Sequence, residues 1–249
     1  MRTPIDRIWP DPAAALDDEA LLQATRFPAE GTWMRANFVS SLDGAATRDG
    51  VSGGLGDDAD RRLFALLRRA ADVVLVGAGT LRDEGYDGLR VDHASVAWRE
   101  AAGMPAHPTL ALISRSLSVD PESPLLADAP VRPIIYTVAS APAARREALQ
   151  LLADVVTAGE TDADPRRIRD DLTARGLRRI HAEGGPHVFG ALLAAGGVDA
   201  LHLTLAPTLE AGDAGRIVRG DAAGMLPVGA RLETVLRAGD ELLLHYRLR

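Results

Sequence analysis

Short apolar runs alternate with amphipathic stretches along most of this chain, and that alternation limits the possible fold more than any other feature. Val73-Val74-Leu75-Val76 reads as a buried strand that ends at Gly77-Ala78-Gly79-Thr80. Thr109 to Ser114, Val131 to Thr137, Val155-Val156, Arg179 to Ala182 and Val198 to Leu205 are further short strands. Between them lie helical patterns at Pro142 to Leu152, Pro165 to Arg175 and Pro186 to Ala195, the last with proline in its first turn. Asp57 or Asp58 caps another helix, with apolar residues at Leu63, Leu66, Leu67 and Ala70 and with Arg68 and Arg69 at its C-terminal end. Strands alternating with helices predict an α/β fold, a mostly parallel central sheet flanked by helices. Arg231 to Arg237 and Glu241 to Leu248, joined at Ala238-Gly239-Asp240, add a C-terminal antiparallel hairpin.

Ahead of this pattern, residues 1–31 are rich in Pro, Asp and Ala, with helical character only from Asp18 to Thr25; they read as an arm wrapped on the domain. Alternating apolar positions from Trp33 to Val39 mark the first strand, and the stretch from Asp49 to Gly56 is a glycine-rich loop. Residues 81–107 read as a long polar connection with some helix near Ala94 to Ala101. Without a repeat or a convincing linker, residues 32–249 are taken as one domain.

Composition removes several kinds of chemistry. With no cysteine, disulfides, thiolate catalysis and cysteine-bound zinc are excluded, and the scattered histidines form no metal-binding spacing, so no metal is expected. Apart from histidine every basic residue is arginine, which excludes a Schiff-base lysine and a phosphate-loop lysine. A net charge of −7 argues against nucleic acid as a partner. No apolar run is long enough to span a bilayer, and Met1 to Asp6 lacks the apolar core of a secretory signal, so a cytoplasmic protein with no membrane partner is expected.

Two strand-to-helix junctions carry glycine where an α/β sheet binds phosphate: Val76-Gly77-Ala78-Gly79-Thr80 and Glu183-Gly184-Gly185-Pro186. Each is either a close-approach site for an anion or simply a tight turn. Ser114-Arg115 follows a strand end, as a 2′-phosphate site or as a solvated loop pair. Glu183 either faces the same crevice or merely ends its strand. Arg68 and Arg90 are candidates for a substrate phosphate or ordinary surface arginines. Asn37, Ser41 and Asp43 close the first strand and either meet a ligand or cap the turn.

Taken in order, the pieces resemble one family. Asn37-Phe38-Val39-Ser40-Ser41-Leu42-Asp43-Gly44 is similar to the strand end of the pyrimidine reductases of riboflavin biosynthesis. Val76 to Thr80 and Gly85-Tyr86-Asp87-Gly88-Leu89-Arg90 sit where that family has its second glycine turn and its Leu-x-x-Arg-like segment. Glu183 to Pro186, Val198 to Leu203 and Ala206-Pro207 resemble its closing half, so the resemblance runs from about Trp33 to Arg249.

The resemblance implies a dihydrofolate-reductase-like fold, NADPH as hydride donor and a homodimer. It assigns cofactor contacts to Ser40, Gly54, Thr80, Glu84, Ser114, Gly184, Gly185, Pro186, His187 and Val188, which join Gly77 and Arg115 from the strand ends above. It assigns the substrate pocket to Asn37, Ser52, Arg68, Leu89, Arg90 and Glu183. The implied substrate is a phosphorylated pyrimidine, 5-amino-6-(5-phosphoribosylamino)uracil, reduced from ribosyl to ribityl. Arg68 and Arg90 would clamp its 5-phosphate, Glu183 and Asn37 would orient it, and Asp43 would serve as proton relay or as structural cap. Many bacterial members have Lys in place of Asn37 and Trp near Gly54, and many carry a zinc deaminase domain whose cysteines this chain lacks; deamination is then expected from another protein. Two other readings stand beside this one: reduction of another heterocycle such as dihydrofolate, and a silent NADPH-binding module.

Overall fold

The computed structural model describes residues 3–85, 88–220 and 227–249, which leaves Tyr86 and Asp87 of the Gly85 to Arg90 segment outside the described residues. In chain order the elements are β1 (Asp6–Trp9), α1 (Asp18–Ala24), β2 (Trp33–Ser40), α2 (Asp58–Arg69), β3 (Val73–Gly77), α3 (Ala78–Glu84), α4 (His93–Ala101), β4 (Thr109–Ile113), α5 (Pro124–Ala127), β5 (Ile134–Thr137), α6 (Ala143–Gln150), β6 (Asp154–Thr157), α7 (Pro165–Ala174), β7 (Arg179–Ala182), α8 (Pro186–Ala194), β8 (Ala200–Leu205), β9 (Ala230–Ala238) and β10 (Glu241–Leu248). The strands form one sheet in the order β1-β9-β10-β8-β2-β7-β3-β4-β5-β6. From β8 to β6 every neighbouring pair is parallel, and β10, β9 and β1 continue the sheet antiparallel. The α/β architecture expected of a dihydrofolate-reductase-like chain is therefore present.

Local chemistry explains most boundaries. Asp57 is the N-cap of α2, accepting from the Ala59 N–H at 2.6 Å, while Asp58 and Asp60 open the helix and Arg68 and Arg69 close it. Those charges suit the helix dipole at both ends. Asp92 caps α4 by accepting from the Ser95 N–H at 2.7 Å. The parallel strands are buried on both faces, which is why β3 reads as an unbroken apolar run.

Two elements differ from the sequence reading. The strand-to-helix junction at Gly77 to Thr80 opens a helix where the sequence reads as connection: Gly77 is the N-cap of α3, which ends at Gly85 in the left-handed region (φ +68°), a conformation that favours glycine. The connection over 81–107 therefore carries α3 as well as α4. The arm is part of the sheet rather than a wrapping: β1 pairs with β9, and Ile5, Leu21 and Leu22 join a buried cluster with Leu63, Leu66 and Leu243. In the C-terminal hairpin β10 lies between β9 and β8, and β1 pairs with β9 from Val235 to Arg237.

Two buried arginines tie helices to the sheet. Arg99 donates to the carbonyls of Arg69, Ala71 and Pro105, capping the C-terminal end of α2. Arg35, 1% exposed, donates to the Thr25 carbonyl at the end of α1 and the Leu67 carbonyl in the last turn of α2, both at 2.6 Å. Its guanidinium lies 4.0 Å from the centre of the Phe27 ring. Two negative helix ends and an aromatic face thus hold a buried cation.

Candidate active site

A cleft of 380 Å³ opens at the carboxyl ends of β2, β7 and β3, where open α/β sheets bind ligands. α2 forms one wall through Asp60, Arg61, Phe64 and Arg68, residues at one, four and eight positions along a single helical face. Asn37, Phe38 and Val39 of β2 form the floor, and Glu183, Gly185 and Pro186 form the end where β7 turns into α8. Thr80 and Glu84 of α3 and the loop bearing Thr47 and Ser52 close it. A larger hollow of 730 Å³ near Arg26, Phe27 and Arg178 contains none of the residues singled out from the sequence.

Glu183 is the centre of the polar arrangement. Arg68 holds it in a two-pronged pair, Nε to Oε1 at 2.6 Å and Nη2 to Oε2 at 2.7 Å. The Phe64 ring lies 4.3 Å from the Arg68 guanidinium carbon and fixes its plane. His181 Nε2 stands 3.5 Å from Glu183 Oε1. His181 is fully buried, and burial, assisted by Arg35 and Arg68, holds its pKa well below the usual histidine value, so the ring is neutral.

The cleft thus unites Asn37, Ser52, Arg68 and Glu183 of the expected substrate residues with Thr80, Glu84, Gly185 and Pro186 of the expected cofactor residues. Glu84 accepts the Ser52 N–H at 2.7 Å and so pins the glycine-rich loop over the opening. Gly77 lies against Val188, and its N–H donates to the Gly184 carbonyl at 2.8 Å; β3 and β7 end back to back. A Cβ on Gly185 would stand 2.4 Å from Thr80 Oγ1, and no side chain caps α8. Ser114 is buried at the end of β4, and its hydroxyl has no hydrogen-bond partner among the described residues.

Several of the expected residues stand outside the cleft lining. Leu89 does not line the cleft; it is 3% exposed and packs in a core cluster with Val76 and Leu112. Arg90 is exposed and donates to the Asp128 carbonyl at 2.8 Å, so it does not converge with Arg68 in the cleft. Asp43 has the contacts of the structural cap, the second of its two expected roles. It accepts from the Ser41 hydroxyl and the N–H groups of Ala211 and Glu210, which bring its pKa down to about 2, and it joins two loops outside the cleft lining. Ser40 is buried, its hydroxyl donating to the Ser41 carbonyl, and the Gly54 carbonyl accepts from Arg48. Arg115 is exposed and paired with Asp162 at 2.9 Å; His187 is exposed at the start of α8. The sequence reading missed Phe38, Asp60, Arg61 and Phe64, although stepping back from Arg68 by four and by eight along α2 reaches Phe64 and Asp60.

No group of three or more His, Cys, Asp or Glu among the described residues has the geometry to hold a metal ion. Among them, too, no helix is long and apolar enough to cross a membrane.

The family model described as RibD C-terminal domain matches residues 32–244. This chain belongs to the RibD C-terminal domain family. A pyrimidine reductase-like protein from Corynebacterium diphtheriae has a structure that matches 88% of this chain and 92% of its own, at 31% identity and TM-score 0.80. The 2,5-diamino-6-ribosylamino-4(3H)-pyrimidinone 5′-phosphate reductase of Methanothermobacter thermautotrophicus is 29% identical over 218 residues, 86% of this chain and 96% of that one. A deaminase/reductase of Thermotoga maritima shares the fold at 18% identity and TM-score 0.66, with this chain spanning 56% of its length. In this RibD C-terminal domain the matched region begins one residue before β2 and includes every wall of the cleft.

Proposed function

We propose that this chain is an NADPH-dependent reductase that converts the ribosylamino group of 5-amino-6-(5-phosphoribosylamino)uracil into a ribitylamino group. The observation that carries this reading is one cleft in which Asn37, Arg68 and Glu183 stand beside Thr80, Gly185 and Pro186. The Methanothermobacter thermautotrophicus relative, by its name, acts on a ribosylaminopyrimidine phosphate.

The residues fit a dinucleotide. Gly77, Gly184 and Gly185 allow close backbone approach where two strands end, and the Ser114 hydroxyl, without a partner among the described residues, awaits an acceptor at the next strand end. Thr80, Glu84, Gly185 to Val188 and Ser114 would hold the cofactor; Arg115, now paired with Asp162, would turn to a 2′-phosphate. The bound nicotinamide supplies a hydride. Everything else falls to the chain: Glu183 and Asn37 orient ribose and pyrimidine donors, and Phe64 and Phe38 exclude water beside them. The 5-phosphate goes to Arg68 and Arg61, the arginines that line the cleft, rather than to Arg90. A homodimer accompanies this reading, and sedimentation checks it.

The test is NADPH oxidation, followed by absorbance, with the phosphoribosylaminopyrimidine and with dihydrofolate in parallel. Turnover of the pyrimidine is expected, with its KM raised by Arg61→Ala and unchanged by Arg90→Ala. Turnover of dihydrofolate alone would reassign the substrate, and NADPH binding without either reaction would make this a silent module.

A further inference from the structure

We propose, resting on the reductase reading above, that Asp60 is the general acid of this cleft and delivers the proton taken up by the ribose ring oxygen as the ring opens. Reduction of a ribosylamine needs such a group. The nitrogen lone pair forms C1′=N while the C1′–O4′ bond breaks, and O4′ leaves with that bonding pair and takes the proton. Hydride from the reduced nicotinamide then adds to C1′, and the iminium nitrogen becomes a neutral amine. One proton and one hydride are consumed, and Asp60 regains its proton from water.

Four carboxyl groups line the cleft: Asp60, Asp83, Glu84 and Glu183. Glu183 has both oxygens on the Arg68 guanidinium, Glu84 accepts the Ser52 N–H, and Asp83 is exposed on α3 beside Arg82. Asp60 differs from all three. It is half-buried on the wall of α2, on the same helical face as Phe64 and Arg68, and accepts the Thr204 hydroxyl on Oδ1 at 2.7 Å. Oδ2 lies against Gly56, where a Cβ would stand only 2.2 Å away.

The groups around it favour the protonated form. Burial raises the pKa of Asp60 above the ordinary aspartate value and Asp57 adds to the rise, while the Thr204 hydrogen bond and Arg61 oppose it. Across the sheet, Glu241 of β10 is 2% exposed, with Oε2 unpartnered among the described residues. Burial, with Asp57 and Asp60 nearby, pushes Glu241 up to about 8. A carboxyl on the cleft wall that burial and a neighbouring carboxylate push above the ordinary aspartate value, and that no arginine clamps in two-pronged fashion, has the attributes of a general acid.

Asp60→Asn is expected to lower kcat by about 10²-fold or more, with NADPH affinity unchanged, and Asp60→Glu to recover at least part of the loss. The alkaline limb of the wild-type kcat/KM profile should disappear in Asp60→Asn. Two substitutions outside the cleft lining should move that limb in opposite directions. Thr204→Val removes a donor from the carboxylate and shifts it up; Asp57→Asn removes a neighbouring charge, keeps the α2 cap and shifts it down. A ¹³C-carboxyl titration, with Asp60→Asn supplying the assignment, should show Asp60 titrating above the ordinary aspartate range without any turnover. Turnover by Asp60→Asn above a tenth of wild type, or a limb unmoved by both outer substitutions, would overturn the proposal and leave the reductase reading intact. A wild type that never oxidises NADPH with the pyrimidine would overturn the reductase reading and this one with it.

Discussion

The same face of the same sheet has two characters. From β3 to β6 it presents Val74, Val76, Leu110, Leu112 and Ile135, which pack into a purely apolar cluster. From β7 to β10 the aligned positions are His181, Arg35, Asn37, His202, Thr204 and His245, beneath α2. In the apolar half, burial needs no partners. In the polar half it leaves Arg35 Nε, both His181 nitrogens, His245 Nδ1 and Glu241 Oε2 without a hydrogen bond among the described residues. Buried groups without partners cost stability, and the cleft lies along this half. One half of the face holds the fold together, and the other sustains an electrostatic environment around Glu183 and Asp60.

Breaking the polar half at its centre should have the largest effect. Glu183→Gln removes the charged partner that holds Arg68 in place and should lower kcat/KM by about 10²-fold or more, the size of effect a misplaced binding group has on rate. Steady-state kinetics, with NADPH binding as a folding control, measures it. The matching break in the apolar half is Leu112→Ala, which should cost about 2–5 kcal/mol in denaturant unfolding and leave kcat unchanged. Arg35→Met sharpens the contrast: removing a buried cation relieves desolvation, so the stability loss should be smaller than for Leu112→Ala. NMR should then show His181 titrating at higher pH, because one of the charges that depress it is gone.

The smallest effects concern pH. Glu241 has a folded pKa of about 8 against an ordinary 4.5, so its contribution is complete below 4.5 and lost as pH rises toward 8. Glu241→Gln should therefore raise Tm relative to wild type at pH 8 and match it near pH 4.5. His245 runs the other way: burial lowers it from 6.5 to about 4, so its contribution is complete above 6.5 and lost as pH falls toward 4. His245→Asn should flatten the acid side of the stability profile, as read by thermal unfolding across pH.

The two halves were not equally legible. β3, β4 and β7 are short runs whose burial on both faces leaves only apolar residues, and Asp57, with the apolar spacing of Leu63, Leu66 and Leu67, marks α2. Glu183-Gly184-Gly185-Pro186 was readable because a strand, close backbone approach and a helix start coincide there. α3 was not, since Gly77 and Gly79 carry the chemistry of a turn as well as of a helix start. Leu89 and Arg90 show the limit of motif spacing: order along the chain does not decide which side chain turns to the core and which to solvent. For Asp60 the helical spacing from Arg68 gives the position but not the surroundings. Its environment comes from Thr204 and Glu241, which approach only when β8 and β10 are in place.

The pairing of Asp6 with Arg237 also has a consequence for how the chain is made. β1 leaves the ribosome before every other strand of this sheet, yet its partner β9 follows only after nearly all the remaining sheet has been translated. Until then Ile5, Leu21 and Leu22 and the apolar side of α2 lack Leu236, Ala238 and Leu243, which complete their cluster. Distant pairings of this kind close slowly and leave sticky surface open meanwhile. Nascent chains halted before β9 should be the species that chaperones retain, and release should coincide with synthesis of the final hairpin.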